Sequence, residues 1–182
     1  MKTSLRKIRT YRPAAGGPRT LSVPTRRAPA DETSEKKRVL VIEDQSAVCD
    51  LVAEMVAAHP RCANVGKASD GLSAVELALR LRPDILVLDV IMPGVGGIEV
   101  LRRLGGAVPG MKVLVFSAKQ EPHIIRALMQ AGIHGFVNKN GPLSELRKAL
   151  DALALGNTWF NDDFGRTVRQ ALASPSHLQE GA

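Results

Sequence analysis

Aromatic side chains are scarce in this chain of 182 residues, with one Trp, one Tyr and four Phe making up 3% of it. Branched aliphatics and alanine must therefore fill whatever core it builds. Cysteine is equally sparse. Cys49 and Cys62 form no CxxC pair, which argues against a disulfide scaffold or a zinc site and suits a reducing cytoplasm. They read as small core residues. Four dispersed histidines, His59, His123, His134 and His177, show no metal-ligand spacing. Uninterrupted apolar runs long enough to cross a bilayer are missing. The basic start, MKTSLRKIRT, is followed by no apolar stretch of the kind that marks a secretory signal.

What is present is the balance of an ordinary globular protein of about one domain, 45% hydrophobic and 24% charged. The formal charge of +7 invites a nucleic-acid reading until it is located. Residues 1–37 hold ten Lys/Arg against three Asp/Glu, whereas residues 38–182 hold fifteen of each. The basic excess is thus confined to the first 37 residues, which argues against a basic DNA-binding fold for the remainder. That first segment carries Pro13, Pro18, Pro24, Pro29 and a Gly16-Gly17 pair, with no apolar periodicity. It is expected to be a disordered basic arm, because it buries too little surface to offset its ordering entropy.

From Arg38 onward short, continuous apolar runs appear: Val39 to Ile42, Ile85 to Leu88 and Val113 to Phe116, with weaker ones at Asn64 to Ala68 and Ile133 to Val137. Runs that are apolar at every position suit strands covered on both faces, as in a parallel sheet. Helical spacing lies between them. Val48, Leu51, Val52, Met55 and Val56 form one stripe, and Leu72, Val75 and Leu79 another behind an Asp70 cap. Ile98, Leu101 and Leu104 follow. Pro122 and Pro142 each stand as the first residue of a further helix, and Gly156 stops the last. Five strand–helix repeats predict a doubly wound α/β domain over residues 38–156. Residues 157–182 are expected to hold a short helix, with Phe164, Val168, Ala171 and Leu172 behind an Asn161 or Asp162 cap, and a polar tail. A three-helix DNA-reading output module does not fit there.

In open α/β sheets ligands bind beyond the carboxyl ends of the strands. The first strand ends in Glu43-Asp44, the third in Asp89, the fourth in Ser117 and the fifth in Lys139. Taken singly, each is an ordinary turn, cap or surface residue. Their coincidence at equivalent strand ends is specific. Three crowded carboxylates need a cation, and hard oxygen ligands suit Mg²⁺. An aspartate facing that metal can attack a phosphoryl donor and form an acyl phosphate. The lysine can then pair with the phosphoryl oxygens, and the serine hydroxyl can donate to one of them.

Here the sequence resembles the receiver domain of two-component response regulators. The matching segments are Val39 to Asp44, then Asp89-Val90-Ile91-Met92-Pro93 with Gly97, then Ser117-Ala118, then Gly135-Phe136-Val137-Asn138-Lys139. The resemblance implies a flavodoxin-like (βα)5 fold, its five-stranded parallel sheet in the order 2-1-3-4-5. It makes Asp89 the phosphoacceptor and gives Mg²⁺ the ligands Glu43, Asp44, Asp89 and the backbone carbonyl of Ile91. Ser117 becomes the switch hydroxyl, Lys139 the phosphate-binding lysine, and Phe136 the aromatic that changes rotamer on activation. The implied partners are a histidine kinase or phosphotransfer protein, a downstream protein, and a second copy in a phosphorylation-dependent homodimer.

Asn140 stands after Lys139, where many receivers have proline. Together with Ala131 to Phe136 and Gly156-Asn157-Thr158, this resembles the receiver subgroup that usually carries a C-terminal helix-turn-helix. The expected protein is a stand-alone cytoplasmic receiver without an output domain, a signalling switch and not an enzyme acting on a separate substrate. The alternative is a truncated or atypical transcriptional regulator whose basic arm binds nucleic acid. A Mg²⁺-dependent phosphohydrolase of the aspartyl-phosphate type would need a second acid two residues after the nucleophile, where Ile91 stands.

Overall fold

The computed structural model describes residues 35–173. The expected basic arm, apart from its last residues, and the polar tail after Ala173 lie outside the described residues. The elements alternate as β1 (Lys37–Ile42), α1 (Ser46–Ala57), β2 (Cys62–Ala68), α2 (Gly71–Leu81), β3 (Ile85–Leu88) and α3 (Gly97–Leu104). They continue as β4 (Lys112–Ser117), α4 (Pro122–Gln130), β5 (Gly135–Asn138), α5 (Leu143–Ala154), β6 (Trp159–Phe160) and α6 (Asp162–Ala173). No helix among the described residues is long and apolar enough to cross a membrane.

All strand pairs are parallel, in the order β2-β1-β3-β4-β5-β6. The expected order holds for the first five strands, and a sixth must be added. Trp159 pairs with Gly135 and Phe160 with Phe136. Two residues are too few for any periodicity to announce a strand.

Continuous apolar runs arise because side chains alternate across a sheet that is covered on both faces. Leu40, Ile42, Leu86, Leu88, Val113, Val115 and Phe136 enter one core with α2, α3, α4 and α6. Val39, Val41, Ile85, Val87, Leu114, Phe116 and Val137 enter the other with α1 and α5. Strand β2 is an edge strand, mostly half-buried, with a register shift opposite Val39 and Leu40. Its weak apolar signal follows from that position.

The packed faces of the helices differ in part from their apolar stripes. In α2 the buried residues are Gly71, Ala74 and Ala78, while Leu72 and Leu79 are 60% and 45% exposed. Leu51 of α1 also faces solvent. In α2 small residues let the helix approach the sheet closely, so its leucines are not the packed face, whereas in α1 Val52 and Val56 are buried and Val48 and Met55 pack against the core as expected. Asp70 does cap α2, accepting from the backbone N–H of Leu72 and Ser73 at 3.0 and 2.9 Å. Pro122 opens α4 as expected, but Pro142 is the cap before α5, which begins at Leu143.

Candidate functional site

The chain leaves β1 for β2 on one side and later enters β3 on the other, so the strand order reverses at β1 and β3. That is where an open parallel sheet forms a crevice at its carboxyl edge. Ile42 lies opposite Leu88, and Leu88 opposite Val115. The residues following β1 and β3 are therefore level: Glu43, Asp44 and Asp89. Ser117 ends β4 opposite Asn138, and Lys139 is the next residue.

Glu43 and Asp89 are buried. With Asp44 they each bring a carboxylate oxygen to within 4.8 Å of the others. Lys139, its side chain 13% exposed, reaches across this group. Its Nζ lies 2.6 Å from Glu43 Oε2 and 2.7 Å from Asp89 Oδ2. Burial raises the Glu43 carboxyl above its ordinary range, against the pull of Lys139. Burial also acts to lower the Lys139 ammonium, but its hydrogen bonds with Asp89 and Glu43 outweigh this and raise it. The lysine is held protonated between two acids.

The loop after β3 is drawn in tightly. The backbone N–H of Ile91 donates to Asp89 Oδ1 at 3.3 Å, and that of Gly97 donates to the Val90 carbonyl at 2.8 Å. A Cβ at Gly97 would lie 2.3 Å from the Asp89 carbonyl oxygen, so only glycine lets α3 start this close. The Ile91 side chain is 49% exposed.

Ser117 is buried, and its hydroxyl accepts from the backbone N–H of Lys119 at 3.4 Å. Its carbonyl accepts from the backbone N–H of Lys139 at 3.2 Å, which ties the two strand ends together. Phe136 stands apart from the charged group. It is fully buried, with its ring stacked on Phe164 of α6 at 4.6 Å between centroids.

The donor set suits a hard divalent cation. Among the described residues it offers three carboxylates and one ammonium, and Asp44 Oδ1 is buried without a hydrogen-bond partner. An orphaned carboxylate oxygen beside two further carboxylates is what a bound cation would satisfy.

Residues 39–151 match the response regulator receiver domain family. The chain belongs to that family. Receivers of two-component systems are signalling switches that typically bind Mg²⁺ at an acidic cluster and work with histidine kinases or phosphotransfer proteins. This receiver is 34% identical over 131 residues to the response regulator GacA of Pseudomonas aeruginosa, covering 72% of the chain and 61% of that protein. It thus spans about three fifths of that relative's length. It is 37% identical over 111 residues to protein-glutamate methylesterase/protein-glutamine glutaminase 5 of Myxococcus xanthus, covering 60% of the chain but 32% of that protein. What the two share is the receiver and not the esterase. A two-component response regulator of the LuxR family from an Aurantimonas species superposes with a TM-score of 0.70 at 26% identity. That superposition covers 77% of this chain and 100% of the other.

Proposed function

We propose that this receiver is a phosphorylation-operated switch in which Asp89 is the phosphoacceptor. The observation that carries the reading is the Lys139 ammonium, set between Glu43 and Asp89 beside the unpartnered oxygen of Asp44. One Asp89 carboxylate oxygen attacks the donor phosphorus. The donor's P–N or P–O bond breaks, and the imidazole or carboxylate leaves with the bonding pair. Lys139 then exchanges a carboxylate partner for a phosphoryl oxygen, and the Ser117 hydroxyl turns to donate to another. Glu43, Asp44, Asp89 and the backbone carbonyl of Ile91 would hold Mg²⁺, which supplies charge neutralisation for the transferring group.

The donor is a histidine kinase or phosphotransfer protein acting in the cytoplasm, and the readout is a protein-binding face of the same domain. The change is a shift between two populated arrangements, not a new fold. Incubation of the full chain with acetyl phosphate and Mg²⁺, followed by intact mass, tests this. The wild type should gain one phosphoryl group, and Asp89→Asn or removal of Mg²⁺ should abolish the gain. Equal labelling of Asp89→Asn would refute the assignment.

A further inference from the structure

The core on the α4 side of the sheet does not end with α5. Helix α6 contributes Phe164 and Ala171, each 1% exposed, and Val168 packs against the same cluster. These three residues follow helical spacing along one stripe, while Leu172 on the same helix is 67% exposed. Phe164 lies between two rings, stacked on Phe136 at 4.6 Å and on Phe160 at 5.2 Å. The helix is tied at both ends. Asn161 Oδ1 accepts from the backbone N–H of Phe164 at 2.9 Å, and the Arg126 guanidinium of α4 donates to the Ala171 carbonyl.

We infer that residues 159–173 are the resident ligand of the α4–β5 face: an amphipathic helix that covers Phe136 with the ring of Phe164 and must be displaced for that face to be read. The partner that would replace it has the same chemistry, an amphipathic helix presenting one aromatic ring to Phe136. Among the described residues, the buried contacts of α6 fall on Phe136 and the α4 side of one core, and no residue of α6 enters the other core. The central strands β1, β3 and β4 are covered by α1, α2, α3, α4 and α5. Helix α6 can therefore leave as a unit.

The link to the acceptor runs along β5. Phe136 and Lys139 are three residues apart on one segment, and Lys139 holds Asp89. Movement of Lys139 toward a phosphoryl group pulls on the strand that carries Phe136. Phe136 cannot shift without breaking its stack with Phe164. Phosphorylation should therefore loosen α6. This last step rests on the phosphoacceptor reading given above.

Hydrogen–deuterium exchange on the full chain, with intact mass taken on the same samples, separates the two claims. In the untreated wild type the amides of α6 should exchange together and faster than those of β1 and α5. Exchange of α6 only at the rate of global unfolding would overturn the inference. Phe164→Ala should speed α6 exchange at least ~100-fold, the scale of deleting a buried ring, and leave β1 unchanged. Leu172→Ala should leave the exchange of both α6 and β1 unchanged, and an equal effect of the two variants would count against the docked face. After acetyl phosphate and Mg²⁺, a mass gain with α6 exchange at least ~10-fold faster supports the coupling. A mass gain with unchanged exchange overturns the coupling alone. No mass gain counts instead against Asp89 as acceptor.

Discussion

Replacing Lys139 with methionine removes the ammonium placed among Glu43, Asp44 and Asp89 while keeping most of the side-chain volume. The wild-type contacts are 2.6 Å to Glu43 and 2.7 Å to Asp89. At an effective dielectric near 20, each pairing is worth about 6 kcal/mol in Coulomb energy. Desolvating the ions takes back several kcal/mol per ion, and Glu43, already raised by burial, relaxes by binding a proton, so the net loss in Lys139→Met should be about 2–4 kcal/mol at pH 7.5. The pH dependence carries the sharper test. Glu43 already has a folded-state pKa raised by burial, and losing Lys139 raises it further. A raised carboxyl favours folding below its unfolded value, 4.5, and that contribution is lost as pH rises through the folded value. The variant's deficit should therefore be small near pH 5 and full by pH 7.5. Urea denaturation of both proteins at pH 5 and 7.5, in chelator, measures it. Mg²⁺ at pH 7.5 should narrow the gap. A deficit under ~1 kcal/mol, or one equal at both pH values, would refute the electrostatic account.

Gly97→Ala sets a methyl 2.3 Å from the Asp89 carbonyl oxygen and 2.9 Å from Val90 Cα, both backbone and unable to move aside cheaply. It should cost about 1–3 kcal/mol in denaturant melts and slow acyl-phosphate formation; wild-type values for both would contradict the tight loop. His59 is buried, and that burial holds its imidazole below 6.5, more than Asp151 at 3.3 Å raises it. A depressed histidine favours folding above its unfolded value, and the benefit is lost as pH falls through the folded one. The urea midpoint should thus drop between pH 7.5 and 5, and His59→Gln should flatten part of that drop, while an unchanged slope would exclude His59. Asn161→Ala should cost α6 about 1 kcal/mol, read as faster exchange confined to that helix.

The parts of this molecule legible in the sequence share a physical cause. Strands β1, β3 and β4 are covered on both faces, so their apolar runs are continuous and their ends can be located. Once those ends are located, Glu43, Asp44, Asp89, Ser117 and Lys139 fall on one edge. What escaped depends on tertiary contact. The leucines of α2 look like its packed face, yet Ala74 and Ala78 are buried because helix and sheet come close. Strand β6 exists only because Trp159 and Phe160 find β5. The stripe through Phe164 was visible as an amphipathic pattern, but its target, the ring of Phe136, required the fold. The sequence places Lys139 at this edge, but its two carboxylate partners, Glu43 and Asp89, are seen only in the folded chain.

As proposed above, this edge of the sheet carries a phosphoryl group on Asp89. Acyl phosphates are cleaved by borohydride to leave homoserine in place of the aspartate, which marks the acceptor covalently. Reduction of the full chain after acetyl phosphate and Mg²⁺, followed by peptide sequencing by mass spectrometry, is the most direct measurement. The account predicts homoserine at position 89 and unmodified Glu43 and Asp44. Label at position 43 or 44, or at none of the three, would contradict it.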